Sequence, residues 1–207
     1  IEGNYDDSVR IAAEVAEENS YYVVSDTSYE GYTDIPKDVM QGYTVMVDET
    51  IKQMKETPTH VFLQGGVGGF PAAAVSFLVE SLDCPPIFVV VEPANADCLF
   101  QSAVNGEPTV VHGDLDTVMA GLACGEVSLL AWSILESYVP HFMTIEDNSV
   151  SITMKLLANR KTPIVAGESA VAGLAGFLIA SHDSSLKEAL KLDQNSRILV
   201  FGTEGDT

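Results

Sequence analysis

Thr59-His60-Val61-Phe62-Leu63-Gln64, then Gly65-Gly66-Val67-Gly68-Gly69, then Phe70-Pro71-Ala72-Ala73-Ala74-Val75 is the passage on which the fold turns. Its first part is a short apolar run bounded by Pro58 and a glycine cluster, which reads as a strand over 59–64. Residues 71 to 82 read as an apolar helix, broken by Pro85-Pro86. The β-branched and aromatic run Ile87-Phe88-Val89-Val90-Val91 follows, and a run of that kind is buried on both faces.

The same alternation extends in both directions. Upstream, Val9, Ile11, Ala12, Val15 and Ala16 recur at helical spacing until Asn19-Ser20, and Tyr21 to Val24 then reads as a strand. A second helical pattern over 35–54 carries Val39, Met40, Tyr43, Val47, Ile51 and Met54. Downstream come a helix near 129–138, a strand near 141–145, helices near 147–158, 169–181 and 184–191, and a last strand from Arg197 to Phe201. Strands that are apolar rather than half-polar, alternating with helices, predict an α/β architecture: a mostly parallel sheet with helices on both faces.

Composition narrows the function. The chain has 207 residues, 46% of them apolar, and a formal charge of -20 from 30 acidic and 10 basic side chains. Its seven lysines and three arginines are scattered, so no cluster is offered to nucleic acid or an anionic membrane. Mean hydropathy is +0.18, and no run of about 18 uncharged apolar residues suggests a membrane span. The N-terminal Ile1-Glu2-Gly3-Asn4 carries neither an initiator Met nor a signal peptide, so the chain reads as the middle of a longer protein. Cys84, Cys98 and Cys124 have no Cys-x-x-Cys spacing and no disulfide-scaffold pattern, which gives a reducing, cytoplasmic setting as the expectation.

In open α/β sheets, functional groups gather where strands end and helices begin. Gly65 to Gly69 lies at such a junction. Glycines there let the backbone turn and approach closely, and a helix N-terminus favours a phosphate, so the loop reads as an anion cradle or as a tight packing turn. No Gly-Lys-Ser or Gly-Lys-Thr makes it a P-loop, and Pro71 stands where Gly-x-Gly-x-x-Gly from Gly66 needs its last glycine. Glu92, at the end of the next strand, is where a ribose-binding acid would lie in a dinucleotide fold.

Asp26 ends the Tyr22-Val23-Val24-Ser25 stretch and precedes Tyr29-Glu30-Gly31-Tyr32. Partial desolvation among aromatics suits a carboxylate to general-base work; an N-cap or turn Asp is the alternative. After the last strand, the Thr203 hydroxyl is placed to meet a ligand ring nitrogen or to close a turn. His60, His112, His141 and His182 pair with no Ser or Cys at a catalytic spacing.

Taken in order, the segments become specific. They are Asn4-Tyr5-Asp6-Asp7, Asp26-Thr27, Gly65-Gly66-Val67-Gly68-Gly69, Val91-Glu92-Pro93, Gly121-Leu122-Ala123-Cys124-Gly125-Glu126, Gly167-Glu168-Ser169 and Thr203-Glu204-Gly205-Asp206. The chain resembles the fold-type II pyridoxal phosphate enzymes and, among them, the diaminopropionate ammonia-lyases. The resemblance implies pyridoxal 5'-phosphate as cofactor and β-elimination of D- and L-2,3-diaminopropionate to pyruvate and ammonia. It matches Asp26 to the base for the D-isomer, Gly65, Gly66, Val67, Gly68 and Gly69 to the cofactor-phosphate loop, and Thr203 to the hydroxyl that meets the pyridine nitrogen. Tyr5, Tyr29 and Glu168 are further expected lining residues.

By the same resemblance, residues 1–27 are the tail of a smaller domain and 28–207 the C-terminal part of a larger, cofactor-binding domain. Members are longer, form homodimers and carry a Schiff-base lysine in their N-terminal half. None of Lys37, Lys52, Lys55, Lys155, Lys161, Lys187 and Lys191 sits in such a setting, so the missing N-terminal half is an implied partner and the fragment alone is expected to be inactive. Another fold-type II lyase, such as a serine or threonine dehydratase, and a non-catalytic anion-binding domain are the alternatives.

Relatives such as serine racemase carry a cation on a Glu-Pro-x-x-Ala-x-Asp pattern. Here Glu92-Pro93-Ala94-Asn95-Ala96-Asp97 is followed by Cys98 where the final acid would stand, so no metal is expected. Cys98 and Cys124 then come from adjacent segments, with a disulfide and a close reduced pair both open.

Overall fold

The computed structural model describes residues 3–205. Ile1, Glu2, Thr207 and Asp206, the last residue of the Thr203-Glu204-Gly205-Asp206 motif, lie outside the described residues. A four-stranded sheet of β1 (His60–Gln64), β2 (Ile87–Pro93), β3 (His141–Ile145) and β4 (Ile198–Val200) runs in the order β3-β2-β1-β4. Every pairing is parallel, with His60 opposite both Ile87 and Ile198, and Val89 opposite His141.

Side chains alternate across the sheet and build a core on each face. Val61 and Leu63 of β1, with Phe88 and Val90 of β2, pack against α2 (Asp34–Gln53), α3 (Gly69–Ser81) and α5 (Leu129–Tyr138). Phe62, Val89 and Val91 face the other way, toward α6 (Asp147–Ala158), α7 (Ala172–His182) and α8 (Ser184–Leu190). This is the predicted α/β architecture with helices on both faces, and it explains why β1 and β2 carry no polar alternation.

The N-terminal helix α1 (Tyr5–Asn19) opens with a capping box, in which Asn4 and Asp7 satisfy each other's backbone N–H. It ends at Ser20, which takes the left-handed conformation at φ 56°. The expected strand at Tyr21–Val24 is not one. Tyr22 is 78% exposed, and the Tyr32 hydroxyl takes the place of a neighbouring strand by donating to Val23 O and accepting from Ser25 N. One helix escaped sequence reading: α4 (Cys98–Asn105) carries its own apolar residues but is only eight residues long. A 3-10 turn at Ala120–Leu122 precedes α5.

Candidate active site

The order in which strands are added to the sheet reverses at β1. From its C-terminal end the chain leaves through α3 to β2 on one side, while β4 joins on the other at the end of a long excursion. Ligands bind in α/β sheets at such a switch point, beyond the carboxyl ends of the strands. A cleft of about 420 Å³ opens there, within the range of small-molecule sites. It brings together Tyr5, Asp26, the turn from Gly66 to Gly69, Cys124, Ser169 and Thr203.

Most of the residues expected at a site therefore converge, although 177 positions separate Asp26 from Thr203 in sequence. Gly66, Val67, Gly68 and Gly69 line the cleft. Gly68 is the N-cap of α3 at φ 102°, a conformation that L side chains rarely adopt, and no side chain caps the helix. Gly65 stands behind the loop: its N–H continues the ladder to Val91 O at 2.9 Å. A Cβ there would come within 2.8 Å of Leu99 and Val90, so Gly65 serves close packing. Tyr29 and Glu168 do not line the cleft; Tyr29 stacks on Tyr32 with ring centroids 4.9 Å apart.

Asp26 is half-buried and accepts a 3.0 Å hydrogen bond from the Tyr5 hydroxyl. Burial, reinforced by the charge of Asp26, holds the Tyr5 phenol well above its ordinary pKa, so it remains a neutral donor. Tyr43 is shifted the same way by burial and then by Asp26. Across the cleft, the Glu204 carboxylate accepts from the backbone N–H of Ser169 at 2.7 Å and of Ala170 at 3.3 Å. The Ser169 hydroxyl accepts from Gly121 N–H at 3.0 Å, tying the 3-10 turn to the approach to α7. Among the described lining residues there is no Lys, Arg or His, which leaves backbone N–H groups and the α3 dipole to meet a negative charge.

One acid and two thiols take positions that sequence alone left open. Glu92 is fully buried away from the cleft and caps α4, its carboxylate accepting from Leu99 N–H at 2.8 Å and Phe100 N–H at 2.7 Å. Its pKa is pushed well above the ordinary range by burial, against the pull of those two bonds. Cys84, Cys98 and Cys124 are free thiols. Cys98 lies 3.6 Å from Gly66 O, and Cys124 Sγ sits 3.3 Å from where a Cβ on Gly66 would be, so both thiols touch the same glycine. Burial, with the charges of Asp6 and Asp26, pushes the Cys124 thiol up to about 12.

The model of the family described as "Pyridoxal-phosphate dependent enzyme" matches residues 1–204. The chain belongs to the pyridoxal-phosphate dependent enzyme family. It is 42% identical, over 99% of its length, to diaminopropionate ammonia-lyase of Escherichia coli (strain K12), covering 54% of that protein. It is 38% identical to diaminopropionate ammonia-lyase of Salmonella typhimurium (strain LT2), again over 99% of this chain and 54% of the relative. The solved structure of the Escherichia coli enzyme in complex with an aminoacrylate-PLP azomethine reaction intermediate superposes with a TM-score of 0.90 and 38% identity, over 100% of this chain and 55% of that one. The chain spans about half the length of the curated relatives it matches.

The cleft fits the cofactor that names the family. A Cβ on Gly66 would fall 3.3 Å from Gly121 O and from Leu122 Cα, so the loop is a cradle that side chains would fill. The uncapped first turn of α3 opens onto it. Gln64, at the end of β1, lines the same cleft and carries a buried oxygen, Oε1, with no partner among the described residues. Sequence reading passed over Gln64, Ser169 and Glu204 as ligand-facing groups. Each works through a partner at least 34 positions away, which no local pattern reveals.

Proposed function

We propose that the protein carrying this chain is a lyase that eliminates ammonia from 2,3-diaminopropionate, giving pyruvate after hydrolysis. One observation carries the reading: Asp26, the turn from Gly66 to Gly69 and Thr203 share one cleft at the sheet's switch point. Strong similarity to diaminopropionate ammonia-lyases along the whole chain supports the substrate class.

In this proposal Gly66, Val67, Gly68 and Gly69, with the first turn of α3, hold the cofactor phosphate through backbone N–H groups. The Thr203 hydroxyl meets the ring nitrogen. Pyridoxal phosphate, when bound, supplies the electron sink that makes the Cα proton removable. Asp26 accepts that proton from the D-isomer, and Tyr5 keeps its carboxylate turned toward the cleft. None of the seven lysines lines the cleft, so the Schiff-base lysine is assigned to a part of the protein outside these 207 residues. The base for the L-isomer is assigned there too.

The domain boundary belongs to the same proposal, with residues 1–27 as the tail of a smaller domain and 28–207 within the larger one. Exposure of Tyr21, Tyr22 and Val24 at 67%, 78% and 70% supports it, because such an apolar segment has further surface to pair with. A cytoplasmic setting is supported by the three free thiols. A homodimer is supported by the exposed apolar side chains Ile152, Leu156, Ile164 and Val165.

The test is a pyruvate assay on the full-length protein with each enantiomer. Asp26→Asn is expected to lose about 10²- to 10⁴-fold in kcat on D-2,3-diaminopropionate and to keep its rate on the L-isomer. Equal loss on both, or no loss, removes Asp26 from the base's role.

A further inference from the structure

Two serines 100 positions apart meet inside the molecule. Ser28 is 2% exposed and Ser128 0%, their hydroxyl oxygens lie 2.8 Å apart, and Ser128 Oγ also accepts the backbone N–H of Ser28 at 3.1 Å. Ser128 is the N-cap of α5, a position whose side-chain oxygen ordinarily takes a first-turn N–H of its own helix, yet its hydroxyl makes no such bond. The cap comes from Ser28 instead: its Oγ accepts from Leu130 N–H at 2.7 Å and its carbonyl from Leu129 N–H at 3.1 Å. Satisfying the helix does not require this exchange, because a local cap would meet the same donors.

What the exchange joins is the base segment and the glycine turn. Ser28 follows Asp26 by two residues in the chain, and Ser128 donates its backbone N–H to Val67 O at 2.8 Å, inside the turn. The hydroxyl of Ser128 therefore holds the Asp26 segment while its N–H holds the turn, and neither serine lines the cleft. Asp26 is left close beside the turn: a Cβ on Gly69 would lie 3.5 Å from Asp26 O. Tyr5 orients the Asp26 carboxylate from α1, whereas the serine pair sets how far the Asp26 backbone stands from the turn. Resting on the proposed roles of Asp26 and of that turn, we infer that Ser128 is a positioning residue that fixes, through Ser28, where the base stands relative to the bound cofactor phosphate. A base must lie within hydrogen-bond reach of the proton it removes, and a misplacement of about 1 Å costs about 10²-fold in rate.

The experiment uses Ser128→Ala in the full-length protein, which removes the hydroxyl and keeps the backbone N–H that meets Val67. In the holoenzyme, kcat on D-2,3-diaminopropionate is expected to fall about 10- to 100-fold, while the L-isomer rate and the affinity for pyridoxal phosphate stay close to wild type. Residue-resolved hydrogen exchange on the cofactor-free protein gives a second readout: the amides of Ser28, Leu129 and Leu130 are expected to lose protection and that of Ser128 to keep it. Ser128→Thr retains the hydroxyl and is expected to restore the D-isomer rate. Where Ser128→Ala does not fold, Ser128→Cys takes its place, since a thiol fills the site but is only a weak hydrogen-bonding group, and the same split is expected. Equal loss on both isomers, loss of cofactor affinity, an unchanged D-isomer rate or unchanged exchange overturns the inference. An Asp26→Asn variant that keeps its D-isomer rate strikes the proposed base instead, so the two failures are distinct, and the exchange pattern then decides whether Ser128 holds the segment to the turn.

Discussion

The Tyr5 hydroxyl donates a 3.0 Å hydrogen bond to Oδ1 of Asp26. The bond joins the first residue of α1 to the segment before α2, 21 positions later, and both side chains line the cleft. Because burial raises the Tyr5 pKa, the donor keeps its proton throughout any working pH. An ionised acceptor makes this one of the stronger hydrogen bonds available to a side chain, with a net value of about 1.5–3 kcal/mol.

Tyr5→Phe should therefore weaken the D-isomer reaction through kcat by about tenfold to hundredfold, as a loss of about 1.5–3 kcal/mol implies. The L-isomer rate should change far less. Steady-state kinetics on the two enantiomers check this, and an equal effect on both would place Tyr5 in the general architecture of the cleft instead.

Two adjacent glycines should respond differently to alanine. At Gly68 the backbone has φ 102°, and a Cβ would stand 3.1–3.2 Å from Leu99, Ala131 and Leu135. At Gly69 the nearest atom, Asp26 O, would be 3.5 Å away, an ordinary contact. Gly68→Ala should cost about 1–3 kcal/mol of stability, while Gly69→Ala should stay close to wild type. Thermal melts of the two variants measure the difference.

The thiols should label in order of exposure and ionisation. Cys84 is exposed and should react first with an alkylating reagent at neutral pH, with Cys98 and Cys124 far slower. The Cys124 pKa is raised from 9.0 to about 12, so the folded state binds its proton more tightly than the unfolded state does. Its contribution to stability is then complete below pH 9 and is lost as pH rises toward 12. Denaturant melts at stepped alkaline pH should show stability falling in that window. Cys124→Ser, whose hydroxyl does not ionise there, should flatten the fall.

The core and the site differ in how far they could be read from sequence. Phe62, Val89 and Val90 announce a buried strand because burial on both faces leaves no room for polar residues, a local rule that needs no partner. The helical spacing of Val39, Tyr43 and Val47 is equally local. Tyr21 to Val24 shows the limit of that rule: its composition suits a strand, but strand formation needs a neighbour, and Tyr32 satisfies its backbone instead. The eight residues of α4 are stabilised by Glu92, whose carboxylate reaches their N-terminus from the end of β2. Within the site, the glycine turn and Asp26 stood out through residue type and position. Gln64 did not, because its meaning comes from Thr203, 139 positions away. Gly65 and Gly68 look alike as letters, yet Leu99 and Val90 press on the first while the second turns the chain.

The first strand of the sheet pairs with the last, His60 lying opposite Ile198 and Phe62 opposite Val200. Closing so long an intervening excursion is slow, because the entropy of bringing distant segments together is lost before their contacts form. The β1–β2 and β2–β3 pairings close shorter loops than the β1–β4 pairing does, so docking of β4 is expected to come last. Phe201 O and Thr203 arrive only with that strand, and Gln64 has no partner for its amide until they do. A chain halted before β4 would keep the glycine turn and the Tyr5–Asp26 pair but would lack Thr203 and Glu204, the opposite wall of the cleft.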